Sequence, residues 1–335
     1  MSLRGQLKRI PHPWQWRVWL KHQYYRGNIA FFIAGILLLS TFTYPTMQQP
    51  SLVKDVLFVL DISESMNVPD ASHPHTGSLR LQHAKTLIGA MMADLPCGSR
   101  TAVGLFAGDD TVLLFEPLEV CAHYPAMEKV VSQLDTRMRW IGDSYVVRGV
   151  KSALDIAKKN QLHLVFVTDA DEMPHHEHPR VAELLTYRKQ VKGILIGVGN
   201  TNLSPVPHLD VKKEITGYWT PEEAVIQGHY PNLLALVKEL PPGEAMPADM
   251  AAEVKEHLSQ LNEALLQQIA SALELTYLRA GETQTALSTL HQLDMTQQSE
   301  TPQDARWILG FFAVVMILVG WFWPMWMRKL NLRHA

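Results

Sequence analysis

Three runs of this chain leave almost no face for water. "VLFVLD" (Val56–Asp61), "LHLVFVTD" (Leu162–Asp169) and "GILIGVG" (Gly193–Gly199) are apolar at nearly every position rather than at every second one. An alternating strand can keep one side wet, whereas a strand apolar on both sides needs cover above and below. Stretches with helical spacing stand between these runs. In Arg80–Leu95, for example, Leu81, Ala84, Ile88, Met91, Met92 and Leu95 share a side. Buried strands alternating with helices predict an α/β fold, a doubly wound and mostly parallel sheet. The first strand is expected over Val53–Asp61. Helices are expected near Pro125–Leu134, Ser144–Lys159 and Pro179–Gln190. A closing helix, strand and helix are expected in "HLSQLNEALLQQIASAL", "LTYLRAG" and "ETQTALSTLHQL". Residues 203–250, rich in proline, glycine and aromatics, read as a loop-rich insertion in one domain, a candidate for partner specificity because long loops in compact domains tend to be functional.

Two charge-free segments bracket this region. "IAFFIAGILLLSTFTY" (29–44) is slightly short for a membrane span, which takes roughly 17–25 apolar residues. Tyr24, Tyr25 and Tyr44 can anchor it at the interfaces. "WILGFFAVVMILVGWFWPMW" (307–326) is longer and fringed with tryptophan. The alternatives are buried core helices and, for the first segment, a cleaved signal peptide. "TFTYPTMQQP" offers no good small-residue cleavage pattern. Arg4, Lys8, Arg9, Arg17, Lys21 and Arg26 precede the first segment, and Arg328, Lys329 and Arg333 follow the second. Basic ends stay on the cytoplasmic side. The expected layout is a cytoplasmic N-terminus (1–28), a transmembrane helix (29–44), a periplasmic domain (45–305), a second transmembrane helix (306–327) and a cytoplasmic tail (328–335) in a bacterial inner membrane. The formal charge of −3 gives no case for nucleic acid.

Cys97 and Cys121 flank "SRTAVGLFAGDDTVLLFEPLEV", two strands about a tight turn at Gly108-Asp109-Asp110. Pairing Phe106 with Val112 sets Cys97 opposite Cys121 if the ladder continues that far. A cross-strand disulfide suits an oxidising compartment. The alternative is two buried free thiols.

Asp61 and Asp169 end two buried strands, and ligands of open α/β sheets bind beyond such ends. Ser63 and Ser65 follow Asp61 at alternate positions. Carboxylate and hydroxyl oxygens with room for water suit Mg²⁺, which takes few protein ligands; Ca²⁺ and Mn²⁺ are the other options. The plainer alternative is that Asp61 and the serines cap a turn. His73, His75, His175, His176 and His178 cluster on two loops of the same face, and such imidazoles can hold a transition metal. Their spacing fits no zinc pattern. "GILIGVGNTN" lacks the lysine of a phosphate loop, and "DISES" is no G-x-S-x-G elbow.

Asp61-x-Ser63-x-Ser65 with "VFVTDADE" resembles the von Willebrand factor A domain family over about Val53–Leu293. The resemblance implies a Rossmann-like sheet with one antiparallel edge strand, a metal-ion-dependent adhesion site, and protein binding without catalysis. In "RMRWIGDSYVVRG", Arg139 stands where the family places a threonine, so Asp143 or Ser144 is the candidate for the missing oxygen. The two flanking spans resemble the Bat-type aerotolerance proteins. "LPCGSRTAVGLFAGDDTVLLFEPLEVC" and "GYWTPEEAVIQG" look like the A-domain membrane protein of methanol dehydrogenase maturation clusters. The role this implies is an assembly factor that docks a periplasmic client, methanol dehydrogenase, for maturation and calcium insertion. The alternatives are a Bat-like scaffold among other A-domain or accessory membrane proteins, and a metal-delivery chaperone using the histidine loops.

Overall fold

The structure, a computed structural model, describes residues 28–331 apart from Tyr44 and residues 71–77, 174–179, 242–243, 282 and 294–295. Ser51–Ser299 form one unit, and the residues on either side of it form another.

Within the larger unit, β2 (Val56–Asp61), β3 (Arg100–Ala107), β4 (Asp110–Leu113), β6 (His163–Thr168), β7 (Gly193–Gly197) and β12 (Thr276–Arg279) build one sheet, ordered β12-β7-β6-β2-β3-β4. Along this order every neighbouring pair is parallel except β3–β4, so β4, antiparallel, lies at an edge. The period of two decides which side each residue covers. Val56, Phe58 and Leu60 enter the core beneath α2 (Arg80–Ala93), α3 (Val120–Gln133) and α7 (Thr283–Gln292). Leu57 and Val59 enter the core beneath α4 (Val146–Asn160) and α6 (Glu263–Leu273). Both faces are covered, as the unbroken apolar runs require.

Several expectations are corrected. The first strand is two: β1 (Thr46–Val53) ends before β2, because buried Lys54 and Asp55 turn aside to Leu290 O (2.5 Å) and to Arg100 (2.7 Å). The hairpin pairs Phe106 with Thr111 and Leu105 with Val112, one residue off the expected register. Its turn takes two residues, Gly108 and Asp109, with Gly108 at φ +69. The ladder does not reach the cysteines. Cys97 lies in the turn after α2 and Cys121 in the first turn of α3, yet they are bonded, with Cα atoms 5.2 Å apart. Glu119 fixes the two segments, accepting from the amides of Gly98 (2.6 Å), Cys121 (3.1 Å) and Ala122 (2.7 Å). Glu119 and Leu118 form β5, antiparallel to the start of β3.

The α-helix expected over Pro179–Gln190 is a 3₁₀ helix, Val181–Tyr187. Val181, Leu184 and Tyr187, three apart, all pack on the core, and a threefold repeat lines up on a 3₁₀ helix. The helix expected from His257 starts at Glu263, where the Asn262 side chain accepts from Leu265 N (3.2 Å). Leu258–Ser259 upstream form β11, paired with β8 (Ser204–Pro205). The insertion also holds β9 (Pro207–Leu209), β10 (Ile215–Tyr218) and α5 (Pro231–Glu239). Its apolar residues Ala224, Val225, Val237 and Met246 cluster with Val254, just beyond it.

In the smaller unit, α1 (Asn28–Ser40) packs along α8 (Arg306–Asn331). A window of α8, Arg306–Trp323, has mean hydropathy 1.8 and is long and apolar enough to cross a membrane. The expected first span is shorter. The 13 residues of α1, continued to Thr43 by a 3₁₀ turn, rise only about 20 Å as α-helix, against a hydrocarbon core of about 30 Å. The β1–β13 (Gln297–Asp304) ribbon is a sheet of its own.

Candidate metal centre

Parallel strands bring their carboxyl ends to one rim. Register sets Leu60 beside Val167, so Asp61 meets Thr168, and Asp169 follows directly. Thr168 Oγ1 donates to Asp61 Oδ2 at 2.5 Å, and Ser63 N donates to Asp61 Oδ1 at 2.8 Å. The chain then enters a 3₁₀ turn, Glu64–Asn67, that brings the Ser63 and Ser65 hydroxyls within 2.9 Å of each other. The Ser63 hydroxyl also reaches Asp61, and the Ser65 hydroxyl reaches Asp169. All four side chains are buried. Asp61, Ser63, Ser65 and Asp169, distant in sequence, thus form one cluster.

Ser144 is held at the same rim by its backbone. It exchanges two hydrogen bonds with Met173 (2.9 and 2.8 Å), and the next amide, Tyr145 N, donates to Gly108 O (2.7 Å). Its hydroxyl is buried without a hydrogen-bond partner. Asp143 is half-buried and accepts from the Tyr145 hydroxyl at 3.3 Å. Arg139 spends its charge elsewhere, donating to Glu64 Oε1 (2.5 Å) and Thr136 O (3.3 Å). The buried threonine of this loop is Thr136, bonded to Asn67 at 3.0 Å. Beside it, Arg137, Arg139, Trp140, Ile141, Gly142, Asp143 and the insertion's Gln227 line a hollow of about 580 Å³. The five loop histidines, His73, His75, His175, His176 and His178, lie outside the described residues.

Sequence reasoning missed Arg80. It opens α2, yet its side chain is wholly buried and reaches the rim, donating to Asp169 Oδ2 (2.7 Å) and Ser259 Oγ (2.6 Å). Its other edge makes a two-pronged pair with Asp70, 2.7 Å on each prong. A signal for it existed: a cation in the first turn opposes the helix dipole and needs acids to hold it.

The electrostatics follow from burial. Desolvation and the neighbouring Asp169 push the Asp61 carboxyl up to about 7. Burial raises Asp169 too, while Arg80 pulls it back. Glu172, also raised to about 7 by burial, accepts from Val147 N (3.3 Å). Among the described residues, the buried Asp61, Asp169, Asp171 and Glu172 outnumber the buried cation at the rim, Arg80. Buried acids in excess need protons or another cation. Among the described residues, no three of His, Cys, Asp and Glu converge as a metal cluster. The donor set is two carboxylates with hydroxyls, a hard-oxygen set that fits a hydrated divalent ion.

Residues 56–172 match the family model described as von Willebrand factor type A domain. Among solved structures, the chain is similar to an aerotolerance-related membrane protein from Bacteroides fragilis. Identity is 19%, with 71% of this chain and 97% of that one covered and a TM-score of 0.46. BatB from Bacteroides thetaiotaomicron is similar at 19% identity, with 71% and 96% covered and a TM-score of 0.49. The manganese-loaded TRAP protein of Plasmodium vivax is similar at 12% identity, with 77% and 81% covered and a TM-score of 0.36. No curated protein sequence matches the chain.

Proposed function

With a von Willebrand factor type A domain as the premise, we propose that this chain is a membrane-anchored docking protein rather than an enzyme. Its rim holds a divalent cation, Mg²⁺ ahead of Ca²⁺ or Mn²⁺, through Asp61, Ser63, Ser65 and Asp169. Ser144 supplies a further oxygen, and Asp143 stands in reserve. A cation held there would supply a binding point for a carboxylate on a protein partner. One observation carries this reading: buried acids and hydroxyls from separate strands converge, and the Ser144 hydroxyl among them lacks a partner. A serine beside a second hydroxyl and two acids makes a ligand set, whereas a nucleophile needs a base positioned to take its proton.

The exposed Met138, Trp140 and Ile141, on the loop that leads to Ser144, would form the apolar part of the contact. Gln227 brings the 203–250 insertion to the same hollow, which supports a role for the insertion in choosing the partner. α8 anchors the chain in the inner membrane with the domain in the periplasm, α1 accompanies it, and both termini are cytoplasmic. The client is methanol dehydrogenase in the course of maturation, a reading supported by the sequence resemblance at residues 95–121 and 217–228. A second reading, a scaffold among other A-domain membrane proteins, is supported by the resemblance of the two flanking apolar segments to the Bat type.

The test is affinity capture from solubilised membranes with the tagged full-length chain. A client retained in Mg²⁺, and lost with chelator or in Asp61→Ala, is expected. Equal retention in all three would sink the adhesion site. Recovery of other A-domain proteins without the dehydrogenase would favour the scaffold.

A further inference from the structure

Arg80 has no solvent exposure, and every nitrogen of its guanidinium is used. Nε and Nη2 take the two oxygens of Asp70, and Nη1 bridges Asp169 and Ser259. Nη1 and Nη2 also approach the carbonyls of Ser65 (3.4 Å) and Ser259 (3.5 Å). The slot that admits the side chain is made by Gly199. A Cβ there would stand 2.4 Å from Nε, and at φ +112 the position already excludes most side chains. Asp70 accepts from Asn200 N as well, at 3.2 Å, so one arginine ties together the segments after β2, β6 and β7 and the strand β11.

A fork of this kind does two separable things. Its hydrogen bonds hold Asp169 in position, and its charge neutralises part of the acid that would otherwise attract a metal. We propose that Arg80 is the resident cation of the rim, ordering Asp169 in the absence of metal and weakening the hold on a divalent ion by competing for that carboxylate. Asp70 works in the opposite sense: by neutralising Arg80 it reduces the repulsion an incoming ion meets. The inference rests on the reading that the rim binds a divalent cation, and it makes predictions of opposite sign for two residues that touch each other. A merely structural role would loosen metal binding in both.

The experiment is calorimetric titration of the full-length chain in detergent with Mg²⁺ and with Mn²⁺, together with thermal unfolding with and without chelator. Arg80→Gln removes the charge and keeps a hydrogen-bonding amide; it should bind about tenfold tighter than wild type and gain a larger rise in Tm from metal. Arg80→Lys keeps the charge but loses the fork, so it should bind no tighter than wild type. Asp70→Asn should bind about fivefold more weakly. Arg80→Gln that is folded and binds no tighter than wild type overturns the proposal while leaving the metal centre standing. Should Arg80→Gln fail to fold, Asp70→Asn and Asp70→Glu decide together: the charge-keeping Asp70→Glu should recover the binding that Asp70→Asn loses, and equal loss in both, or unchanged or tighter binding by Asp70→Asn, overturns the proposal. If no variant and no wild type binds either ion, the metal reading falls and this inference falls with it.

Discussion

A carboxyl shut away from water gives up its proton reluctantly, and Asp61 has Asp169 beside it as well. With burial and that neighbour holding its pKa at about 7, against 3.8 for an ordinary aspartate, the folded chain binds a proton here that the unfolded chain has already released. Stability in chelator therefore declines as pH rises between those two values. Glu172 contributes in the same direction, so the contribution of Asp61 is read as a difference between two chains. From about pH 5 to about pH 7.5, the wild type in chelator should lose more stability than Asp61→Asn, and saturating Mg²⁺ should flatten the difference. Equal slopes in urea unfolding for the two chains would show that Asp61 carries no such proton. At this scale the sequence exposed the clustered oxygens, because Asp61, Ser63 and Ser65 follow one another. It concealed Arg80, whose acids lie 10 and 89 positions away.

Elements meet at distances their smallest residues permit. α4 crosses β3 at Gly149, where a Cβ would fall 2.1 Å from the ring of Phe106. That ring lies 5.5 Å from Phe166, centroid to centroid, and the backbone of Phe106 receives the amide of Ile62 at 3.0 Å, one residue beyond Asp61. Gly149→Ala should therefore cost about 1–3 kcal/mol by overpacking, measured by urea unfolding. No change in stability would mean the ring shifts freely and the contact is not tight. Helical periodicity located α2 and α4, since each has one continuous apolar side. It could not fix the hairpin register. A two-residue and a three-residue turn differ by one position, and the apolar strands tolerate either.

The whole chain joins a buried parallel sheet to an apolar terminal helix. The Cys97–Cys121 bond in the larger unit is of the kind that persists in an oxidising compartment. A periplasmic domain should make an exposed turn residue accessible from outside the inner membrane. Asp109→Cys, in the exposed hairpin turn, should react with a membrane-impermeant maleimide in cells whose outer membrane alone is permeabilised. Protection until the inner membrane is lysed would put the domain on the cytoplasmic side. By itself the sequence determined the α/β class, the two acids at strand ends and the long apolar helix Arg306–Asn331. Each is written in a local run of residues whose burial or charge is legible without partners. Tertiary structure alone decided that Asp61 and Asp169 share one rim, that Arg139 turns to Glu64, and that an arginine opening a helix reaches the Asp169 carboxylate. These depend on strand order and on close contacts between distant segments, which no local pattern encodes.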